Sequence, residues 1–388
     1  MHSNHGTEFT PLLSPPIKQR IHFIDNLRSF IIGLVIVEHA LAPFGGENFC
    51  RFVSQYPTEP VSHATMLLYG IIHQSFFMGL LFFLAGHFSA VAAENKSPWV
   101  FSVDKLKRLG LPLACIELVG EPLAIALVQM DKGDSALPRV KMYFNTWQGV
   151  RGPAWFIATL LAFDLIYIVL KVALSSIPIR IEYTPTSASR HRVAASIGIT
   201  AVIFCSFLVR LYFPVGHMIP VLGLQPGYAP QYIFAFVAGT SLSQIQPYLL
   251  MKNPAPILLF TYLVAGLTIA LIFSLHNDIA DYLGGWNRYA VFYATWNEVC
   301  FYFLGAAWFS LFHQNELTKK QWAKTARYSY GVYLVHPLVV LALQMSVDRL
   351  VGELNGIVKT MLVVLLGIPL SWATSRVLTQ IPPVGRII

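Results

Sequence analysis

Apolar runs of bilayer-crossing length, parted by short polar segments, recur from one end of the chain to the other. A helix crosses the hydrocarbon core with ~20 residues. The pattern predicts ten spans, at about 28–44, 67–92, 106–130, 154–175, 193–213, 229–249, 255–275, 288–312, 328–348 and 357–378. The longest connecting segments hold about 20 residues, too few for a hydrophobic core of their own. No internal repeat is evident, which counts against the inverted-repeat plan of many transporters. The expected fold class is all-α: a polytopic membrane helix bundle of about ten transmembrane helices. Its chemistry has to come from residues in the spans and short loops.

Composition strengthens this picture. The chain of 388 residues is 55% hydrophobic and 12% charged, against roughly 25% charged in soluble domains. Mean hydropathy is +0.57. The net charge of +8 is not a nucleic-acid signature, because the cations sit mainly in short loops where they orient helices. With the amino terminus inside, the inner loops hold Lys96, Lys105, Lys107 and Arg108, then Arg180, Arg190 and Arg192, then Lys252, then Lys319, Lys320, Lys324 and Arg327. The outer loops 214–227 and 276–287 hold no Lys or Arg, and the second carries Asp278 and Asp281. Both termini are therefore expected in the cytosol. Residues 131–153 break the pattern with Lys132, Arg139, Lys141 and Arg151: either these charges serve a site or a span is miscounted. Residues 1–26 are polar and Pro-rich and lack the apolar core of a cleavable signal. They are expected to form a flexible cytosolic tail, with 27–378 as the membrane domain and 379–388 as a short cytosolic end. Cys50, Cys115, Cys205 and Cys300 show neither a disulfide framework nor metal-ligand spacing, so no metal site is expected.

The first span carries the sharpest chemical signal. Ionisable groups at membrane depth are costly and mark function by default. Arg28 and His39 are eleven residues apart, about 1100° of helix, so they share one face at ~16 Å axial separation. An imidazole takes and returns a proton near neutral pH. A guanidinium binds phosphate or carboxylate, or simply snorkels to the inner surface as an anchor. Asp25 is placed for an i,i+3 pair with Arg28. Glu38 is offset from His39 by about 100° and is expected to point elsewhere. Lys105 and Arg108 sit one turn apart with Lys107 beside them, as a phosphate clamp or as topology-setting charge. Glu117 and Glu121, at i,i+4, suit a proton path, a cavity or a structural pairing. Asp164 and Glu298 are isolated acids in other spans. His73 and His87 flank an aromatic stretch in which Gly79 and Gly86 permit close helix approach. Tyr333 and His336 are i,i+3 neighbours ahead of Pro337, which frees a carbonyl. Trp155 reads most simply as an interface-belt residue.

Taken in order, several segments resemble the acyltransferase type 3 family of integral-membrane O-acyltransferases. They are Asp25-Asn-Leu-Arg28 leading into His39, Leu81-Phe-Phe-Leu-Ala-Gly86, the basic turn before Pro112, Gly152-Pro-Ala-Trp155-Phe156, and Tyr333-Leu-Val-His336. The likeness runs from residue 22 to about 375. It implies a bundle that takes an acyl group, most simply acetyl, from cytosolic acyl-CoA and passes it to a hydroxyl of a small molecule or glycan. The family's arginine and histidine map onto Arg28 and His39, and its basic pair onto Lys105 and Arg108. Lys105 stands where the family commonly has arginine, and Ala85 where serine is common. No fused extracytoplasmic domain is seen, which points to small acceptors such as secondary metabolites or sterols.

In the mechanism this implies, Arg28, Lys105, Lys107 and Arg108 hold the CoA phosphates. His39 is the general base, and Glu117 or Glu121 orients its imidazole. Trp155, Tyr333 and His336 complete the substrate-binding set. Acyl-CoA is a co-substrate, with no tightly bound cofactor; the other partners are the hydroxyl acceptor and the lipid bilayer. The reading requires the cations and the imidazole to open into one continuous tunnel. The alternatives are a proton-coupled transporter relaying through Glu117, Glu121, Glu298 and His39, and a non-catalytic scaffold.

Overall fold

Prolines and glycines punctuate the helices and set where they start, bend and touch. The computed structural model describes residues 21–46, 51–147, 149–175, 188–276, 278–322 and 325–387, with backbone alone for 188–195. Residues 1–20 of the expected tail, Cys50, Arg180 and Lys324 lie outside the described residues. Among the described residues every regular element is helical, apart from one isolated bridge between Ile219 and Leu224.

Helix α1 is His22–Leu41, closed by a 3-10 turn at Ala42–Phe44 that contains Pro43. It starts at His22, so residues 22–26, assigned to the tail from sequence, are its first turn. They are not solvated: Phe23 and Ile24 are buried in the core, and Asn26 Nδ2 donates to the carbonyls of Thr318 and Lys320, each at 2.7 Å. Helices α2 (Pro60–Gln74) and α3 (Phe77–Glu94) make one crossing, interrupted at Ser75 and Phe76. Helix α4, Pro98–Asp131, is continuous but widens into π-turns at Leu106–Gly110 and Ile116–Gly120. Pro112 and Pro122 follow these turns and lack the N–H that a regular turn needs. Then come α5 (Ala136–Asn145), α6 (Ala154–Ser175), α7 (Ala188–Tyr212), α8 (Ala229–Thr240), α9 (Leu242–Leu249) and α10 (Pro254–Leu275). Last are α11 (Arg288–Gln314), α12 (Thr325–Leu350) and α13 (Gly356–Leu378).

Among the described residues, seven stretches are long and apolar enough to cross a membrane: His22–Phe44, Pro60–Glu94, Pro98–Asp131, Ala154–Ser175, Pro254–Leu275, Thr325–Leu350 and Gly356–Leu378. The other three expected spans are helical but are not among these seven. Of α7, side chains are described only from Ser196 onward, and Ser196–Tyr212 is an apolar helix. Residues 229–249 divide into α8 and α9. Polar residues such as Asn297, Glu298, His313 and Gln314 lower the hydropathy of α11.

Helix α1 is central, with 67% of its apolar window buried, whereas α10 has 11% and turns its side chains outward to lipid. Helices α3 and α8 pack backbone to backbone. A Cβ on Gly86 would lie 2.1 Å from the Phe236 carbonyl oxygen, and one on Gly239 would lie 1.9 Å from that of Phe83. Two reciprocal glycines thus make the close approach that membrane helices use. The two ends of the bundle differ. At one end Arg28 pairs with Asp25 at 3.4 Å, and Lys105 pairs with Asp164 at 2.8 Å. At the other, Lys359 pairs with Asp348 at 2.7 Å, and Ser54 Oγ donates to the same carboxylate at 2.7 Å.

Candidate functional site

Four prolines free backbone carbonyls around the site, and side chains from neighbouring turns or helices answer them. Pro43 cannot donate to the His39 carbonyl, four residues back; Gln344 Nε2 of α12 donates instead at 2.6 Å. Pro337 leaves the Tyr333 carbonyl open, and His336 Nδ1 lies 2.8 Å from it. A carbonyl only accepts, so Nδ1 carries the proton and the neutral ring keeps Nε2 as an acceptor. Pro112 frees the Arg108 carbonyl for Tyr330 Oη at 2.6 Å. Pro122, after a π-turn, frees the Glu117 carbonyl for Tyr143 Oη at 2.9 Å. Long-range packing of α1, α4 and α12 is therefore written into the positions of the prolines.

These helices enclose a cavity of about 240 Å³. Its walls are His39 and Glu38 of α1, Gln74 and Met78 of the α2–α3 unit, Glu121 of α4, Trp155 of α6, Tyr232 of α8, and Tyr333 and Gln344 of α12. Arg51, Arg151, Gln225 and Tyr228 reach it from segments at the end opposite Arg28. The cavity is smaller than the ~300–1,000 Å³ of drug-sized sites, so it suits a small ligand or one reacting end of a larger one.

His39 faces this space. Its ring lies beside that of His336, centroids 5.2 Å apart at 35°. Among the described residues no side chain hydrogen-bonds the His39 ring, which leaves its nitrogens for a ligand. His336 is fully buried behind it and does not line the cavity. Tyr333 Oη donates to the Pro153 carbonyl. Trp155 is a cavity wall stacked on Tyr232, centroids 5.6 Å apart, and not the interface-belt residue its sequence setting suggested.

The two acidic candidates separate. Glu117 accepts from Tyr143 Oη at 2.9 Å and from the Arg151 backbone N–H at 3.4 Å. Burial, then the bond to Glu117, pushes the Tyr143 phenol above its usual range. Glu121 lines the cavity but pairs with Arg51. Burial, then the nearby Arg151 charge, pulls the Arg51 guanidinium below its usual range. Neither acid bonds the imidazole, so the expected carboxylate–His39 contact is absent among the described residues. Glu38, expected to point elsewhere, lines the same cavity, because the space wraps around the last turn of α1. Arg151 also explains part of the charge anomaly in 131–153: it serves the cavity, while Lys132, Arg139 and Lys141 are exposed.

The basic residues do gather at one end. Arg28 Nη2 donates to the Ala326 carbonyl at 3.0 Å, and its guanidinium lies 5.0 Å from the Phe88 ring centre. Lys105 is taken up by neighbouring helices: its ammonium donates to Ser89 Oγ at 2.9 Å and pairs with buried Asp164. Lys107 and Arg108 are exposed, Arg108 pairing with Asp104 at 3.3 Å. None of the four cations lines the cavity. Along α3, Phe82 falls between cavity-lining Met78 and Ser89; along α12, Tyr333 falls between Tyr330 and cavity-lining Pro337. Phe156 joins them, 4.7 Å from Phe82 and 5.4 Å from Tyr333. This aromatic layer lies between the basic end and the cavity, and among the described residues the cavity does not extend to the four cations. Glu298 bonds Ser206, Gln231 and Asn297 elsewhere in the bundle, so the acids of the transporter alternative do not form one relay.

Sequence reasoning missed Arg51, Gln74, Gln225, Tyr228, Tyr232 and Gln344, and reached Arg151 only as one of the charges that break the loop pattern. Glutamines at 74 and 344 inside apolar runs were a usable signal; Arg51 and Gln225 in loops had none. The chain matches the family model described as an acyltransferase domain over residues 21–376. No curated protein and no solved structure gives a significant match.

Proposed function

Because the chain belongs to the acyltransferase type 3 family, and is thereby an integral-membrane acyltransferase, we propose that it moves a short acyl group, most simply acetyl, from acyl-CoA to a hydroxyl of a small-molecule or glycan acceptor. The observation that carries this reading is His39: an imidazole whose ring has no hydrogen bond from any described side chain, facing the cavity that Glu38, Gln74, Arg151 and Gln344 also line. His39 takes the acceptor's hydroxyl proton as that oxygen attacks the thioester carbonyl carbon. The C–S bond breaks, the ester forms, and the proton passes to the departing CoA thiolate. His336, with Nε2 free to accept, faces the other ring and keeps that neighbour's orientation.

With the amino terminus in the cytosol, CoA phosphates meet Arg28, Lys107 and Arg108 at the basic end. Lys105, neutralised by Asp164, serves the scaffold there. The acyl arm reaches His39 when the Phe82–Phe156–Tyr333 layer parts, and the acceptor enters from the opposite end, past Arg51 and Arg151. No tightly bound cofactor is needed, since the donor carries the reacting group.

The test incubates purified protein with radiolabelled acetyl-, malonyl-, succinyl- and longer acyl-CoAs, with and without a metabolite extract. Label moves from CoA to an acceptor in the wild type. His39→Ala lowers transfer by about 10²–10⁴-fold while the protein stays folded. Undiminished transfer in His39→Ala removes histidine from the mechanism, and no CoA release from any thioester removes the donor assignment.

A further inference from the structure

Behind the cavity lies a second charged centre that does not line it. Arg210 of α7 is 0% exposed and Glu298 of α11 is 2% exposed. Two ions are brought out of water here at a cost that only specific partners offset. Each is tied to a different wall.

Arg210 Nε donates to the Gly227 carbonyl at 3.1 Å. Its guanidinium lies 5.3 Å from the ring centre of Tyr228 and 5.1 Å from that of Tyr293. The two phenol oxygens are 3.2 Å apart. Gly227 sits between Gln225 and Tyr228, both cavity residues. There is little slack, since a Cβ on Gly227 would come within 3.3 Å of the Arg210 side chain. Arg210 thus fixes one wall from behind.

Glu298 fixes another. One carboxylate oxygen accepts from Ser206 Oγ at 2.8 Å and from Asn297 Nδ2 at 3.2 Å, and the other accepts from Gln231 Nε2 at 3.1 Å. The same Gln231 amide donates to the Ser75 carbonyl at 2.9 Å. Ser75 is the break between α2 and α3, flanked by cavity-lining Gln74 and Phe77.

We propose that Arg210 and Glu298 are positioning residues for the acceptor: Arg210 holds the Gln225–Tyr228 wall through Gly227, and Glu298 holds the Gln74–Phe77 wall through Gln231 and Ser75. That the cavity receives the acceptor rests on the acyl-transfer reading; the bracing itself does not.

The bracing is read without any substrate. The native cysteines are replaced, and single cysteines are placed on the braced walls (Gln225→Cys, Gln74→Cys) and on an unbraced one (Ala124→Cys). The rate of modification by a small charged methanethiosulfonate is measured on the full chain in lipid. Arg210→Met keeps side-chain length and bulk but removes the charge. It raises the rate at Gln225→Cys by about tenfold, the scale of one lost charged hydrogen bond, with Ala124→Cys unchanged. Arg210→Lys brings Gln225→Cys back toward the wild-type rate. Glu298→Gln raises the Gln74→Cys rate most. An unchanged rate at Gln225→Cys in Arg210→Met overturns the proposal, and so does an equal rise at Ala124→Cys, which reports general loosening. CoA release from acetyl-CoA by the wild type is scored separately, so loss of the acyl-transfer reading is not mistaken for loss of the brace.

Discussion

At the scale of single residues, the site is organised by carbonyls that proline leaves unbonded. Gln344 answers the carbonyl of His39, and His336 answers that of Tyr333. A buried carbonyl deprived of its donor costs about 1–3 kcal/mol. Gln344→Leu is therefore expected to lower thermal stability of the purified protein by that amount and to slow transfer, because the turn carrying the imidazole loses its tether. A melting temperature equal to the wild type's would show that the tether is dispensable. Arg28 and His39 were legible as a pair because helix periodicity alone puts them on one face, and both do face α12, at Ala326 and beside His336. The role of Lys105 was not legible. Its partner Asp164 is 59 positions away in sequence (164 minus 105) and meets it only through packing of α4 on α6.

At the scale of elements, the α3–α8 contact is the tightest joint in the bundle. Any side chain at Gly86 or Gly239 would strike a backbone oxygen of the facing helix. Overpacking typically costs about 1–3 kcal/mol, and here no flexible side chain can yield. Gly86→Val is expected to reduce the yield of monodisperse protein from membranes, whereas Gly33→Ala, where a Cβ meets nothing within 4 Å, leaves it unchanged. Equal yields for the two variants would refute the close-packing argument. The glycine in Leu-Ala-Gly86 was readable as a packing site from sequence; its partner Gly239 was not singled out, since nothing local says which helix lies opposite. The same joint lies between the His39 cavity and an apolar crevice lined by Leu80, Phe83 and Ala238 among others.

At the scale of the whole molecule, the opposed ends follow from where the charges fall. Buried Lys359 and Asp348 fasten the 51–58 segment, which carries Arg51, to the α12–α13 hairpin. Removing one member strands the other, a loss of about 3–5 kcal/mol. Lys359→Met is expected to unfold at markedly lower temperature, and Lys359→Met with Asp348→Leu to recover part of the difference. A double variant no more stable than the single one would argue against an ion pair. Orientation is tested in the same protein. Single cysteines at Lys141 and Lys320, both exposed, are expected to label from opposite sides of sealed vesicles, Lys320→Cys from the cytosolic side. Labelling from one side would mean that a crossing between them is miscounted.

The amino-acid sequence by itself determined that this is a helical membrane protein, that Pro337 frees a carbonyl in one span, and that an arginine and a histidine share the face of the first one. Those properties depend on hydropathy, proline chemistry and a 3.6-residue turn, all of which are local. Only the tertiary structure decided which polar groups meet. It brought Glu38, Arg51, Arg151 and Gln225 to His39, spent Lys105 on Asp164, and set an aromatic layer between the basic end and the cavity. Contacts between residues far apart in the chain have no local signature, because they are fixed by how whole helices pack.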